Sequence, residues 1–271
     1  MTTHEDTVHR NPAGDRRRSG VLHGPGADAP MSPAPEPGGA AAPDQHRVRR
    51  FLRHNSLGLF FLVTFVLALA GQAVAGYAAF NNQLVADGLA PVGFGAYVTS
   101  SDFAVDVTEN WQSEYLQFFL YIFATVWLLQ RGSPESKELD KAGTESDKDQ
   151  MVGEHATADS PRWAAYKDWR GVVFSRSLGL VMGGIFLLSW LTQSVTGVAA
   201  YNEEQLRRFQ APTTWAHYLS SADFWDRSLQ NWQSELLAVA SMAIFAIYLR
   251  QRGSPESKPV GASHSATGVE G

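Results

Sequence analysis

The chain contains no cysteine, so disulfide bonds and thiolate metal sites are excluded. Its eight histidines are scattered, with no pair at the spacing of metal ligands. No glycine-rich phosphate loop, HExxH motif or nucleophile elbow occurs. The net charge of −5 is mild and argues against nucleic-acid binding. We therefore expect no catalytic residues, no metal ion and no cofactor, so that the sequence disfavours an enzyme but leaves the question open.

Apolar periodicity is absent from residues 1–45, which are rich in proline, glycine, alanine and serine. Such a segment buries too little apolar surface to offset the loss of chain entropy on folding. The sequence predicts a disordered N-terminal tail over residues 1–45. Met31 is an alternative start, which the sequence leaves open.

Charged residues are also absent from two long apolar runs, at residues 57–76 and 178–197. Each run has 20 residues, and a helix of that length spans about 30 Å, the thickness of a bilayer core. The first run also fits a signal peptide, with a small-residue site at residues 73–75. The second run begins with the same Ser-Leu-Gly-Leu but lies in mid-chain, where cleavage of a signal peptide has no role. The likeness of the two runs therefore favours an uncleaved first helix.

Two shorter apolar runs lie at residues 115–129 and 236–249. Alone they are marginal for crossing a bilayer. The polar motif NWQSE precedes each of them, and its inclusion extends the first to residues 111–130 and the second to 232–249. The sequence therefore predicts an all-α membrane protein with four transmembrane helices.

Lysine and arginine are unevenly distributed among the connecting segments. Residues 77–110 contain neither, whereas residues 131–176 contain eight. Four arginines precede the first run: Arg47, Arg49, Arg50 and Arg53. By the positive-inside rule, we expect a multi-pass protein of the cell (plasma or inner) membrane with both termini cytoplasmic.

The chain carries an internal repeat at a constant offset of 121 positions, from Ser56 to Ser177 (177 − 56 = 121). At this offset NWQSE and RGSPESK each match an identical copy, without a gap. Each copy holds two predicted spans, so both enter the membrane in the same orientation, as two tandem parallel helical hairpins. The predicted segments are repeat 1 at 46–137, a flexible cytoplasmic linker at 138–160, repeat 2 at 161–258 and a disordered C-terminal tail at 259–271.

The pairing of NWQSE with RGSPESK, in two copies of two spans each, resembles an uncharacterised family of bacterial integral membrane proteins. This is the domain-of-unknown-function family numbered 6766. The resemblance extends from about Arg49 to Gly271 and leaves residues 1–45 outside it. It implies a membrane location and no known activity.

Polar residues within the predicted spans form a candidate intramembrane site. A carboxylate facing lipid would be costly, so it should face protein, pair or bind a proton. One hypothesis is that a glutamine of each repeat donates to the glutamate of the same repeat. The alternative is that the two glutamates meet and form a proton or cation site. The candidate residues are Gln72, Asn110 and Glu114 in repeat 1, and Gln193, Asn231 and Glu235 in repeat 2.

Two further repeated motifs are predicted to begin and end helices. Four residues fit capping boxes: Thr99 with Asp102, and Ser220 with Asp223. In RGSPESK, Gly132 and Gly253 can adopt the left-handed conformation after a helix, and proline follows. A docking or phosphorylation site at Ser-Pro is the alternative interpretation of that motif.

We therefore expect a non-enzymatic structural or interaction component of the bacterial cell envelope. A small proton- or cation-coupled carrier using Glu114 and Glu235 is the first alternative, and an intramembrane hydrolase using the same carboxylates is the second. The expected partner is the lipid bilayer, and a homo-oligomer or a membrane-protein partner is left open. No nucleic-acid partner is expected.

Overall fold

Helices account for all regular structure in the computed structural model, which describes residues 43–269. No strand occurs in that range, so the predicted all-α class is confirmed. Two 3₁₀ helices, Gly153–His155 and Arg162–Ala165, lie between α4 and α5. The α-helices are α1 Pro43–His54, α2 Ser56–Ala86, α3 Phe94–Val98, α4 Ser101–Trp127, α5 Trp169–Ser175, α6 Ser177–Arg207, α7 Trp215–Tyr218 and α8 Ala222–Tyr248.

The predicted N-terminal tail lies outside the described residues as far as residue 42. Its last three residues, 43–45, belong instead to α1. The described residues divide into two compact units, on either side of the boundary between Leu62 and Val63. In the first, helical hydrogen bonding continues from α1 into α2, because the Asn55 N–H donates to Phe51 O and the Leu59 N–H to Asn55 O, both at 3.0 Å.

The two halves of the chain share an order of long, short and long helices. The first long helices, α2 and α6, have 31 residues each. The second long helices, α4 and α8, have 27 residues each. Among the described helices, α2 and α6 are long and apolar enough to cross a membrane. The polar NWQSE motif lies within α4 and α8, which are less apolar.

The most extensive helix contact in the second unit joins α4 to α6, and α4 also packs against α8. This contact joins helices from different halves of the chain, whereas the predicted hairpins pair the two long helices of the same half. Gly183 explains the close approach, since a Cβ there would lie 3.0 Å from the Phe119 ring. Glycines allow neighbouring helix backbones to come close together in this way.

A buried tyrosine packs over a helical glycine in each half. Tyr97 covers Gly76 and Tyr218 covers Gly197, and the two tyrosines are only 3% and 1% exposed. A Cβ on Gly76 would overlap the Tyr97 hydroxyl, and one on Gly197 would lie 2.7 Å from the Tyr218 hydroxyl. The tyrosines thereby fix the short helices α3 and α7 against the long helices that precede them.

A second repeated contact anchors the loop after each first long helix. The Asn81 side chain accepts from Val92 N (2.7 Å) and donates to Val92 O (3.1 Å). In the second half, Asn202 accepts from Thr213 N (2.7 Å) and donates to Thr213 O (2.9 Å). Each asparagine thus satisfies both backbone groups of one loop residue, which fixes the path of the loop.

The RGSPESK motifs form matching turns, but the helices end before them. α4 ends at Trp127 rather than at residue 130, and α8 ends at Tyr248 rather than at 249. Gly132 and Gly253 do have positive φ, 86° and 81°, but within the turn. In each turn a serine hydroxyl accepts from the backbone N–H six residues earlier at 2.9 Å, Ser136 from Gln130 and Ser257 from Gln251. This internal bonding makes the motif a compact structural turn.

Two more features of the first motif bear on its predicted roles. Ser133 is only 1% exposed, which disfavours its phosphorylation. Glu135 accepts a hydrogen bond from the Tyr121 hydroxyl, so this acid ties the turn back to α4.

The residues after the second motif do not form the predicted disordered tail as far as Val269. They fold against the first motif, where the Gly268 N–H donates to Ser133 O at 3.1 Å. Lys258 is 1% exposed, and its ammonium donates to Gly132 O at 2.6 Å. A buried ammonium needs such partners because it has lost its water shell. Its other acceptors are the carbonyl oxygens of Ser263 (3.1 Å), His264 (3.1 Å) and Ala266 (3.2 Å).

The predicted flexible linker at 138–160 is also tied to its neighbours at its start. Lys137 Nζ lies 2.8 Å from Gly143 O and 2.7 Å from the Glu145 carboxylate. The Gly143 N–H donates to Val126 O at 2.7 Å. The beginning of the linker therefore packs on the last turn of α4.

We expect Gly197→Ala to destabilise the protein by about 1–3 kcal/mol, because the new methyl group would force the buried Tyr218 ring to move. Thermal unfolding of the purified protein measures this change. The matched control is Gly179→Ala on the same helix, where a Cβ meets nothing within 4 Å. Equal melting temperatures for the two variants would contradict the packing role of Tyr218.

Candidate functional site

Charged side chains gather where α4 and α8 begin and α6 ends. The antiparallel packing of α4 on α6 brings these ends together, and Ser101 Oγ donates to the Glu203 carboxylate at 3.1 Å. Here the helices enclose a cavity of about 70 Å³, large enough for about two water molecules. We call it the charged cavity. Its charged lining residues are Asp102, Glu204, Arg207, Asp223 and Arg227.

Arg227 connects the two halves of the chain at this cavity. Its guanidinium lies 3.1 Å from the Glu109 carboxylate on α4 and 3.6 Å from the Asp223 carboxylate on its own helix. The Tyr218 hydroxyl also donates to Asp223, at 3.1 Å. The Glu109 side chain is only 18% exposed, so this ion pair is partly shielded from water.

Arg207 makes a similar connection from the end of α6. Its guanidinium lies 3.7 Å from the Glu203 carboxylate and 5.5 Å from the centre of the Phe80 ring on α2. A guanidinium over an aromatic face is attracted by the electron density of the ring. Arg207 therefore links α6 to α2 as well as neutralising an acid.

Burial raises the pKa values of three carboxyl groups in and beside the charged cavity. Asp102 Oδ2 is buried without a hydrogen-bond partner. Burial raises the pKa of Asp102, and the nearby Glu203 raises it further, while Arg207 lowers it. Burial also raises the pKa values of Asp106 and Glu109, against the opposing effect of Arg227. Each of these acids holds its proton more tightly than it would in water.

The two NWQSE motifs meet next to this region. Gln112 of the first copy is completely buried, and its Oε1 accepts from the Trp232 indole N–H of the second copy at 2.6 Å. Its amide also donates to Glu109 O at 3.1 Å. The reverse pair does not form, since Gln233 is exposed and Trp111 lies against Phe65, with ring centres 6.2 Å apart.

The family model of the domain of unknown function DUF6766 matches residues 48–269. The chain belongs to this family. No curated protein and no solved structure matches it. The resemblance inferred from the repeated motifs is confirmed, and the family assignment brings no activity with it.

In this DUF6766 chain the predicted glutamine–glutamate pairs do not form among the described residues. Gln193 is 1% exposed, yet neither atom of its amide is hydrogen-bonded. Gln72 is half-buried on α2, and no hydrogen bond joins it to Glu114, which is exposed on α4. Gln193 lies on α6 and Glu235 on α8, and α6 packs closely along α4 but much less closely along α8. The helix packing therefore keeps this pair of side chains apart.

The two glutamates lie on α4 and α8, which pack against each other. Glu114 is exposed and Glu235 is half-buried. Asn110 and Asn231 bond within their own helices. Their amides donate to backbone carbonyls one turn earlier on their own helices, Asn110 to Asp106 O at 2.7 Å and Asn231 to Arg227 O at 3.0 Å.

The helix caps lie one residue later than predicted. The N-cap of α4 is Ser100, which accepts from Phe103 N, and that of α8 is Ser221, which accepts from Phe224 N. Thr99 and Ser220 instead donate to backbone carbonyls of the preceding short helices, Gly95 O at 2.9 Å and His217 O at 2.8 Å. The shift arises because α3 and α7 need these hydroxyls at their own ends. Asp102 and Asp223 lie in the first turns, as expected for acids near a helix N-terminus.

Sequence reasoning missed Arg207, Arg227 and Glu109 as members of this site. Residues 77–110, which contain no lysine or arginine, did indicate an acidic helix face, since Asp102, Asp106 and Glu109 recur there at helical spacing. The corresponding second segment, residues 198–231, contains three arginines. Complementary charge on the two segments favours contact between them.

We expect Asp106→Asn to weaken the pH dependence of stability. The folded pKa of Asp106 lies above its ordinary value of 3.8. Protonated Asp106 therefore stabilises the fold at pH values below 3.8, and this stabilisation is lost as the pH rises through the folded pKa. Asparagine does not titrate, so the variant should lose no stability in this range and should be at least as stable as wild type at neutral pH. Melting temperatures across a pH series test this, with Asp226→Asn, an exposed acid on α8, as the control. An unchanged pH slope in Asp106→Asn would refute the assignment.

Proposed function

We propose that this chain is an integral membrane protein with four transmembrane helices, built from two tandem copies of a two-helix unit. The observation that carries the proposal is the distribution of polarity on α6 and α2. The buried residues of α6 are all small or polar: Gly183, Ser189, Gln193, Ser194 and Gly197. Large apolar residues of α2 are exposed instead: Leu57, Phe60, Phe61, Leu62, Val63, Phe65, Val66, Leu67 and Val74.

This arrangement is unfavourable in water, where burial of large apolar side chains is the main driving force of folding. It is favourable in a bilayer, because lipid chains solvate the exposed apolar residues while small residues let helices approach. Exposed apolar surface of this extent otherwise indicates aggregation or a binding partner.

The second long helices fit the same environment, although NWQSE makes them less apolar. Gln112 and Ser113 of the first copy are buried against protein. The remainder of α4 exposes Phe118, Leu120, Phe123 and Trp127, and α8 exposes Leu236, Leu237, Ile244 and Phe245. Gln112 and Ser113 are therefore shielded from lipid, while the large apolar residues are available to face it. The charge distribution of the loops supports cytoplasmic termini and a cytoplasmic linker.

The role that fits this architecture is a non-enzymatic structural or interaction component of the cell envelope. Some of its buried polar side chains join helices, such as Ser228, whose Oγ accepts from the Trp190 indole N–H at 3.3 Å. Arg227 and Glu109 form an ion pair that bridges the two halves of the chain. These interactions supply register and cohesion rather than a reactive group.

We expect single cysteines to report opposite sides of the membrane, a clean test because the chain has none of its own. A membrane-impermeant maleimide should label Asp87→Cys and Gln210→Cys in intact cells, and Lys148→Cys only after permeabilisation. The protein should also resist extraction from membranes by alkaline carbonate. Extraction by carbonate, or identical labelling of all three sites, would overturn the four-span proposal.

A proton- or cation-coupled carrier is the second candidate, favoured by the presence of Glu114 and Glu235 on α4 and α8, two helices that pack against each other. Proteoliposomes would be tested for cation flux driven by a pH gradient. The carrier requires flux in wild type that Glu114→Gln/Glu235→Gln abolishes. The control, Glu138→Gln/Glu256→Gln, removes two exposed loop carboxylates and should retain it. Absence of flux in correctly folded wild type would eliminate the carrier.

A further inference from the structure

Helix α1 is amphipathic, with its charge strongly biased to one sign. Its twelve residues include four arginines and two histidines, against a single acid, Asp44. Residues at positions i, i+3, i+4, i+7 and i+8 share a helix face, and here five cationic or titratable side chains form one continuous strip. These residues are His46, Arg49, Arg50, Arg53 and His54.

The opposite face of α1 is apolar. Val48, Phe51 and Leu52 follow the i, i+3, i+4 spacing and are 57%, 60% and 50% exposed. All residues from 46 to 54 are exposed, so nothing in the described unit covers either face. A helix with an arginine-rich face and an apolar face matches a lipid–water interface, where the two environments meet.

The position of α1 in the chain supports the same environment. The backbone hydrogen bonds through Asn55 join it directly to α2, whose apolar residues begin at Leu57. If α2 enters a bilayer, the end of α1 lies at the level of the headgroups, since no loop separates the two helices. Arginine binds phosphate groups through its planar fork of N–H donors, and clustered basic residues beside a membrane helix attract anionic lipids.

We propose that α1 binds the headgroups of anionic phospholipids at the membrane face where α2 enters. The arginines contact the phosphate groups, and Val48, Phe51 and Leu52 lie towards the acyl chains. This inference rests on the proposed membrane location and goes beyond it by naming the lipid class and the surface that selects it.

The experiment measures lipid binding to the full-length chain in neutral detergent micelles. Fluorescent phosphatidylglycerol is the probe, and the competitors are phosphatidylglycerol, phosphatidylcholine and inorganic phosphate. We expect phosphatidylglycerol to compete at least about tenfold more strongly than phosphatidylcholine, since each basic residue near an anionic surface adds to the attraction. Inorganic phosphate should not displace the probe, because it offers no acyl chains to the apolar face.

The decisive variant is Arg49→Gln/Arg50→Gln, which should weaken phosphatidylglycerol binding about tenfold or more and remove most of the preference over phosphatidylcholine. The matched control, Lys141→Gln/Lys148→Gln, removes the same charge from exposed residues elsewhere and should bind like wild type. Equal competition by the two lipids, displacement by inorganic phosphate, or an equal loss in the control would overturn the proposal.

Membrane insertion is measured separately. Arg49→Gln/Arg50→Gln should remain resistant to carbonate extraction, so that lost lipid selectivity is not mistaken for lost spanning. Carbonate extraction of the wild-type protein would refute the membrane location itself, whatever the lipid assay shows.

Discussion

The close contact between α4 and α6 is the constraint on which the other interactions of the second unit depend. It requires a residue without a side chain at Gly183, where the Phe119 ring fills the space. It also brings the start of α4 beside the end of α6, which allows Ser101 to bond Glu203. The charged cavity exists because these ends meet, and α8 completes it by supplying Asp223 and Arg227.

The same contact explains why identical motifs have different surroundings. α4 packs against both α6 and α8, so residues of its NWQSE motif are enclosed, and Gln112 and Ser113 are buried. α8 has less of its surface covered, and the matching Gln233 and Ser234 are exposed. Two copies of one sequence thus occupy an inner and an outer position, and only the inner copy uses its glutamine to join helices.

Interactions within a few residues are less affected by this asymmetry. The hydrogen bonds of Asn81 and Asn202 to their loops recur at the same sequence offset in each half. The tyrosine–glycine contacts and the serine hydrogen bonds within the RGSPESK turns do so as well. The final lysine of RGSPESK is an exception, because its partners lie farther away. Lys137 binds the beginning of the linker, whereas Lys258 binds the C-terminal segment and the first motif.

The sequence by itself determined the four long helices, their order and the two RGSPESK turns, because apolar runs and turn-forming residues act over short stretches of the chain. It placed the caps within one residue, and it indicated the acidic face of α4 without its arginine partners. The tertiary structure alone decided which helices touch, and therefore that Gln112 meets Trp232 and that Gln193 lacks a partner. Hydropathy specifies that a helix is apolar but not its rotation or its neighbours, which depend on packing between side chains far apart in the chain.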